Sequence, residues 1–417
     1  MEGGALLPIF PPGSLDSSVI TTTWVGIAVA AFFSLRFGWV LSGLVVPGYL
    51  VPLLLIKPWS AAVVMGEAAI TYGVVWAFSD AASRAGGWSA LFGRDRFFAL
   101  ILVSIAVRLL VDGWVMPGVG EWVTSRFDIA FDWRNNLHSF GLIVVALMAN
   151  QFWKTGFLRG LGPVIVTIGV TLLIVRFGLM EFTNFRISDI GYLYEDLASS
   201  ILATPKAYIV LVVTAFLASR MNLHYGWDFN GILIPALIAL QWFQPIKIVS
   251  SVGEAFVILM LASLVLRLPL FANANIEGGR KLLLFFNVGF AWKMLLGFTL
   301  PEVVPGVKVT DYFGFGYLLS TLLAVKIHDK EILARLTRAT LQTSLVGALV
   351  ATALGFLLTL LPGLTDRPVP VTEAAAGTAP VADSLDEVIR ARTVALYGVG
   401  AAEGVSRPPP ALVDAFG

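Results

Sequence analysis

The sequence predicts an all-α polytopic membrane protein with about twelve transmembrane helices, arranged as two parallel six-helix repeats with some spans broken or re-entrant. Bulk composition is the first ground. Of 417 residues, 57% are hydrophobic and 13% charged, and mean hydropathy is +0.84, far too little polar surface to cover a chain in water. Apolar runs near or above the length needed to cross a bilayer core are the second. The third is a motif: Gly43-Leu44-Val45-Val46-Pro47-Gly48 returns as Gly231-Ile232-Leu233-Ile234-Pro235-Ala236. Glycine and proline at matched places inside apolar segments of a doubled bundle point to a shared central site between its halves.

The first six runs are approximately Ser18–Leu35, Trp39–Ile56, Ala61–Phe78, Phe97–Val115, His138–Trp153 and Leu161–Leu179. The second six are Ala207–Ser219, Trp227–Phe243, Ile248–Leu266, Leu282–Leu300, Phe313–Ile327 and Leu341–Leu361. Met1-Glu2-Gly3-Gly4 carries no basic n-region, so the first run reads as an uncleaved span. Trp39 and Trp227 stand at matched starts and read as interface anchors. Several runs are short, and the second and fifth of each half also admit a re-entrant reading where protein covers the backbone.

Loop charge arbitrates, because Lys and Arg stay on the cytoplasmic side. With every run crossing and the N-terminus outside, the inside loops hold Arg36, then Arg84, Arg94 and Arg96, then Lys154 and Arg159, then Arg220, then Arg280 and Lys281, then Lys330, Arg335 and Arg338. The outside loops hold Glu121, Asp128 and Asp132, then Glu181, Asp189, Glu195 and Asp196, then Glu302 and Asp311. Re-entrant second and fifth runs would move the Arg94 loop outside. Twelve crossings with both termini extracytoplasmic are therefore expected, in a bacterial cytoplasmic membrane.

Matches in preserved order support the repeat. Gly38-Trp39 and Gly226-Trp227 are separated by 188 (226 − 38), as are Pro47 and Pro235. Gly66-Glu67 pairs with Gly253-Glu254, and Arg96 with Arg108 pairs with Lys281 and Lys293. Gly141, Leu147 and Ala149 pair with Gly316, Leu322 and Ala324. The expected division is residues 1–180 and 181–362 as the two repeats and 363–417 as an extracytoplasmic linker and tail. In that tail Ser384 and Glu387 form a capping-box pattern that would open a short helix, and Arg407-Pro408-Pro409-Pro410 would end it.

From Ser42-Gly43-Leu44-Val45-Val46-Pro47-Gly48-Tyr49-Leu50 onward, the first half resembles the PgsC/CapC family of membrane subunits in bacterial poly-γ-glutamate (capsule) synthesis. Pro58, Thr71-Tyr72, the loop Leu91-Phe92-Gly93-Arg94-Asp95-Arg96-Phe97, Arg108 with Asp112, Gly141-Leu142-Ile143-Val144 through Ala149-Asn150, and Lys154-Thr155-Gly156 carry the likeness on, across residues 20 to 180. Val145 replaces a family proline, Asp95 interrupts the basic loop, and Glu67 stands where an apolar residue is expected. The second half agrees only in skeleton, so the chain resembles a fused tandem form. The resemblance implies an integral subunit of a synthase or export complex. It works with a cytoplasmic ATP-dependent amide ligase, other capsule synthase subunits, an anionic polymer and the bilayer, and not with nucleic acid.

Ligase chemistry in this chain is not expected, because no Gly-x-x-x-x-Gly-Lys-Ser/Thr phosphate cradle occurs. No cofactor, catalytic residue or metal is expected either: the chain has no cysteine, and His138, His224 and His328 lie far apart. Intramembrane charges are the better candidates, since burying one in hydrocarbon costs about 2.5 to 3.5 kcal/mol or more unless it is paired or hydrated. Arg108 and Asp112, four apart, share a helix face, while Glu67 with Arg108 and Glu254 with Lys293 are placed to pair between the third and fourth spans of each half.

Two readings stand for each feature. The pairs lock helices together, or Arg108 and Lys293, with Arg94, Arg96, Asp112, Asn150, Lys154 and Lys281, line a path for a polyanion. Gly43 and Gly231 allow close packing, or with Pro47, Gly48 and Pro235 they mark a broken helix whose half-helix N-terminus faces an anionic group. A six-plus-six secondary transporter, for which Glu67 and Glu254 are the matched carboxylates, and an envelope scaffold are the alternative functions. Because Gly48 has become Ala236, the first module is expected to keep more of the family role.

Overall fold

Apolar runs deprived of water must satisfy their backbone internally, and helices do so within one segment. The computed structural model describes residues 7–40, 43–86, 91–127, 141–187, 205–227, 233–242, 244–269, 276–314 and 316–359. These are helical nearly throughout; the isolated bridge between Leu7 and Thr183 is the one β-type pairing among them.

The first half holds α1 (Val19–Phe37), α2 (Val46–Ile56), α3 (Pro58–Trp76), α4 (Gly93–Leu110), α5 (Met116–Phe127), α6 (Gly141–Thr155) and α7 (Phe157–Leu173). The second holds α8 (Pro205–Tyr225), α9 (Leu233–Gln241), α10 (Pro245–Leu266), α11 (Gly279–Val303), α12 (Gly316–Lys330) and α13 (Leu333–Thr359). π-helical turns prolong α3 over Ala77–Ala81, join α4 to α5 over Val111–Val115 and prolong α7 over Ile174–Leu179. Ser18 caps α1, its side chain accepting from the Ile20 N–H. Proline opens α3 and α10, where its missing N–H costs nothing.

Among the described residues, seven helical stretches are long and apolar enough to cross a membrane: Val19–Phe37, Pro58–Ala81, Asp95–Arg126, Phe157–Phe182, Pro245–Leu266, Gly279–Val303 and Leu333–Leu357. The remaining elements are shorter or less apolar. At 11 and 9 residues, α2 and α9 reach only about 17 and 14 Å as helix, against a hydrocarbon core of about 30 Å.

The second run explains its own shortness. Ala30 shares a cavity wall with Gly43 and Val46, Gly26 lies against Pro47 and Gly48, and the Thr22 hydroxyl donates to the Gly48 carbonyl at 2.9 Å. The chain therefore returns antiparallel to α1, non-helical at Gly38–Val40 and Gly43–Val45, and α2 begins beside the middle of α1. Irregular backbone at such depth is tolerated only when protein covers it. Gln151 of α6 supplies that cover, its Nε2 donating to the Val40 carbonyl, and Trp39 stacks on Phe33 at 4.7 Å.

One end of the bundle gathers the basic termini. Tyr72 of α3 meets Trp153 of α6 and Phe157 of α7 at 5.9 Å each, Lys281 of α11 pairs with Asp329 of α12, and Gly279 lies beside Leu35 at the end of α1. Between the halves, α1 packs on α11 and α8 packs on α4. In the first contact Trp24 stacks on Phe290 at 4.4 Å, with its indole N–H on Asn287 Oδ1 at 2.8 Å. In the second, Phe98 meets Phe216 at 5.9 Å.

Candidate functional site

Helix α3 places Glu67 and α4 places Arg108 at mid-bundle, where small residues such as Ala68 leave room for the longer side chains. Arg108 Nη1 donates to both carboxylate oxygens, at 3.1 Å to Oε1 and 2.9 Å to Oε2. Both side chains are 3% exposed or less. A charge this deep persists because it is paired. Arg108 therefore turns to the neighbouring helix for Glu67; the side chains of Asp112 and Arg94 lie outside what the structure describes.

The second half holds a comparable pair with different chemistry. Lys293 Nζ on α11 donates to Glu254 Oε2 on α10 at 2.6 Å, with side chains 0% and 3% exposed. The Gly314 N–H donates to the same oxygen at 2.7 Å, and the Phe313 ring lies 4.8 Å beneath the Lys293 ammonium. Lys247 of α10, buried at 4% exposure, donates to the Thr310 and Asp311 carbonyls at 3.0 and 2.8 Å. Sequence reasoning missed Lys247 because a lysine beside Pro245 reads as a flanking residue, and its partners lie more than 60 positions away. Ser320, fully buried on α12, was missed for want of any pairing signal.

The broken span is the third feature. Gly43, Val46 and Pro47 line a small cavity with Ala30, Met148, Gln151, Val164 and Thr167, all within the first half and not between the halves. A Cβ on Gly48 would overlap the Thr23 Cα, so that glycine is required by close approach. Gly43 is partly buried and Pro235 buried, while Gly231 and His138 lie outside the described residues.

The other basic candidates sit at the bundle end. Arg96 lies over the Trp153 ring at 5.1 Å, Lys154 is exposed and Asn150 partly buried, and Lys281 pairs with Asp329 at 2.6 Å. Exposed Arg36, Arg84, Arg159, Arg280, Lys330 and Arg335 flank them. No cluster of metal-ligating side chains occurs among the described residues. The tail from 363 onward lies outside them.

Comparison with known proteins gives concordant matches. The family described as capsule biosynthesis CapC matches residues 25–161 and 213–336. The chain is 32% identical over 154 residues to the capsule biosynthesis protein CapC of Bacillus anthracis, covering 36% of this chain and 89% of that protein. It is 28% identical over 152 residues to the PGA biosynthesis protein CapC of Bacillus subtilis (strain 168), with the same two shares. No solved structure matches significantly.

Proposed function

Because the chain belongs to the capsule biosynthesis CapC family, we propose that it is an integral membrane subunit of a poly-γ-glutamate (capsule-type) synthase or export complex. It seats a cytoplasmic ATP-dependent amide ligase and passes the anionic product outward, without performing the ligation itself. The observation that carries this reading is the family match falling on both halves of an apolar helical bundle whose basic helix ends converge on one face. That face is cytoplasmic by the retention of Lys and Arg, and both termini are extracytoplasmic.

In this reading the chain is a tandem duplication. The second family match starts 188 residues after the first (213 − 25) and ends 175 after it (336 − 161). The same displacements relate Gly38 to Gly226, helix ends with φ of 68° and 58°, and α6 to α12, each of 15 residues. Further support comes from the joints before α3 and α10, where Lys57 and Gln244 adopt nearly identical conformations, φ −141°, ψ 77° and φ −136°, ψ 78°. The reciprocal packing of α1 on α11 and of α8 on α4 is what two like modules related by a rough two-fold would make. Twelve crossings result, with α2 and α9 each completing a crossing begun by non-helical backbone.

The Glu67–Arg108 pair acts as a lock between α3 and α4, and the polymer meets Arg94, Arg96, Lys154 and Lys281 at the cytoplasmic mouth. A host deleted for this gene and complemented with variants tests the roles. Arg96→Gln with Lys154→Gln should lower surface γ-linked polyglutamate while the membrane abundance of the protein stays normal. Arg108→Gln should lower abundance itself. Unchanged polymer in the first variant at normal abundance would sink the mouth assignment, and a deletion strain with normal polymer would sink the capsule function.

A further inference from the structure

The two buried carboxylates are not equally satisfied. Arg108 engages both oxygens of Glu67. In the second half Lys293 and the Gly314 N–H both converge on Oε2 of Glu254, and Oε1 has no partner among the described residues. A second buried group is idle: the Ser320 hydroxyl likewise has no partner among the described residues. A Cβ placed on Gly314 would strike that hydroxyl, and would lie 2.9 Å from the Ser251 Cα and 3.2 Å from Glu254 Oε2. The absence of a side chain at Gly314 is what lets Ser320, Ser251 and Glu254 Oε2 approach its backbone this closely. Buried polar atoms left without partners each call for a physical account.

The surroundings match an anion in the form of a carboxylate. One ammonium and one backbone N–H already hold a carboxylate on a tether, and the Ser320 hydroxyl is a further donor near them. We propose that Lys293, Gly314 N–H and Ser320 form a carboxylate-binding site in the second half, filled at rest by Glu254 and closed by the strap Val309–Phe313, in which a free carboxylate displaces Glu254. The strap is a single 3-10 turn, Val309–Tyr312, followed by Phe313. It is held to α10 by Lys247 through two backbone carbonyls and by Glu254 through Gly314. Letting go of those bonds moves a short connection and unwinds no long helix. In the first half Ser60, at the position corresponding to Lys247, carries no charge, and Arg108 leaves neither oxygen of Glu67 idle.

The proposal concerns binding by the purified full chain and stands whether or not the capsule reading does. Two measurements decide it. In Glu254→Ala the tethered guest is gone, so acetate should raise the thermal unfolding midpoint progressively with concentration, while neutral acetamide should not, and the added change Lys293→Gln should abolish the rise. In Ser320→Cys, the sole thiol of a chain with no cysteine, glutarate should slow thiol labelling about tenfold once it exceeds its dissociation constant tenfold, and glutaramide should leave the rate unchanged. Acetate doing no more than acetamide overturns the proposal. So does labelling indifferent to glutarate, or a thiol that no reagent reaches; and if Glu254→Ala cannot be purified, the labelling result decides alone.

Discussion

Opposite a buried carboxylate, arginine and lysine make unlike partners. A guanidinium presents a planar fork that stays charged, whereas an ammonium is a point charge with three rotatable donors. Arg108 contacts both oxygens of Glu67 through its Nη1, and Lys293 contacts only one of Glu254. Glu67→Gln, which strands Arg108, should therefore cost about 3 to 5 kcal/mol, read as a lower unfolding midpoint of the purified protein. Replacing both Glu67 and Arg108 with leucine should restore much of that loss, because similar-sized apolar pairs substitute well for buried ion pairs. The partnership of Glu67 with Arg108 was legible in the sequence because a charge in a span needs an opposite charge, and both recur in order as Glu254 and Lys293. Gly314, Ser320 and Lys247 were not legible, since a backbone N–H, a serine and a lysine near a helix start carry no mark of what lies across from them.

Among the elements, α2 shows where hydropathy stops informing. An apolar window covering Trp39–Ile56 is the same whether its backbone is coiled or extended, so the run was visible but the 11-residue helix within it was not. What could be read was the glycine and proline that make the break possible. Gly48→Ala should destabilise by about 1 to 3 kcal/mol, because its methyl would have to displace α1 backbone at Thr23; circular-dichroism melts of the two proteins measure it. The ends of α6 and α12 give a prediction of the opposite sign. Gly156 follows α6 with φ 84°, whereas Glu331 follows α12 with φ 54°, the one non-glycine residue of positive φ among those described. A side chain in that left-handed region costs roughly 1 to 2 kcal/mol, so Glu331→Gly should raise the melting midpoint.

For the whole molecule, the faces between the halves are apolar and aromatic, built by Trp24 on Phe290 and Phe98 on Phe216. A protease site introduced between residues 190 and 200 and cut after membrane insertion should leave the two fragments co-purifying, because helix contacts such as those of α1 with α11 and of α8 with α4 join them. Fragments that separate in mild detergent would show the covalent link to be the main bond. The proposed division into halves rests on matched glycines and charges; the packing of α1 on α11 and of α8 on α4 could not be read from the sequence, since packing partners in lipid are chosen by shape more than by hydropathy. The expectation that the first module keeps the larger role meets a counterweight in the second, whose buried carboxylate faces lysine where the first has arginine and whose strap is held by Lys247. That asymmetry has an evolutionary corollary. Two copies of one gene product meeting across a two-fold must use every residue twice, so a change that helps one position harms its mirror image. Under the proposed duplication, fusion into one chain would release that constraint, and arginine in one socket and lysine in the other is the kind of specialisation such freedom permits.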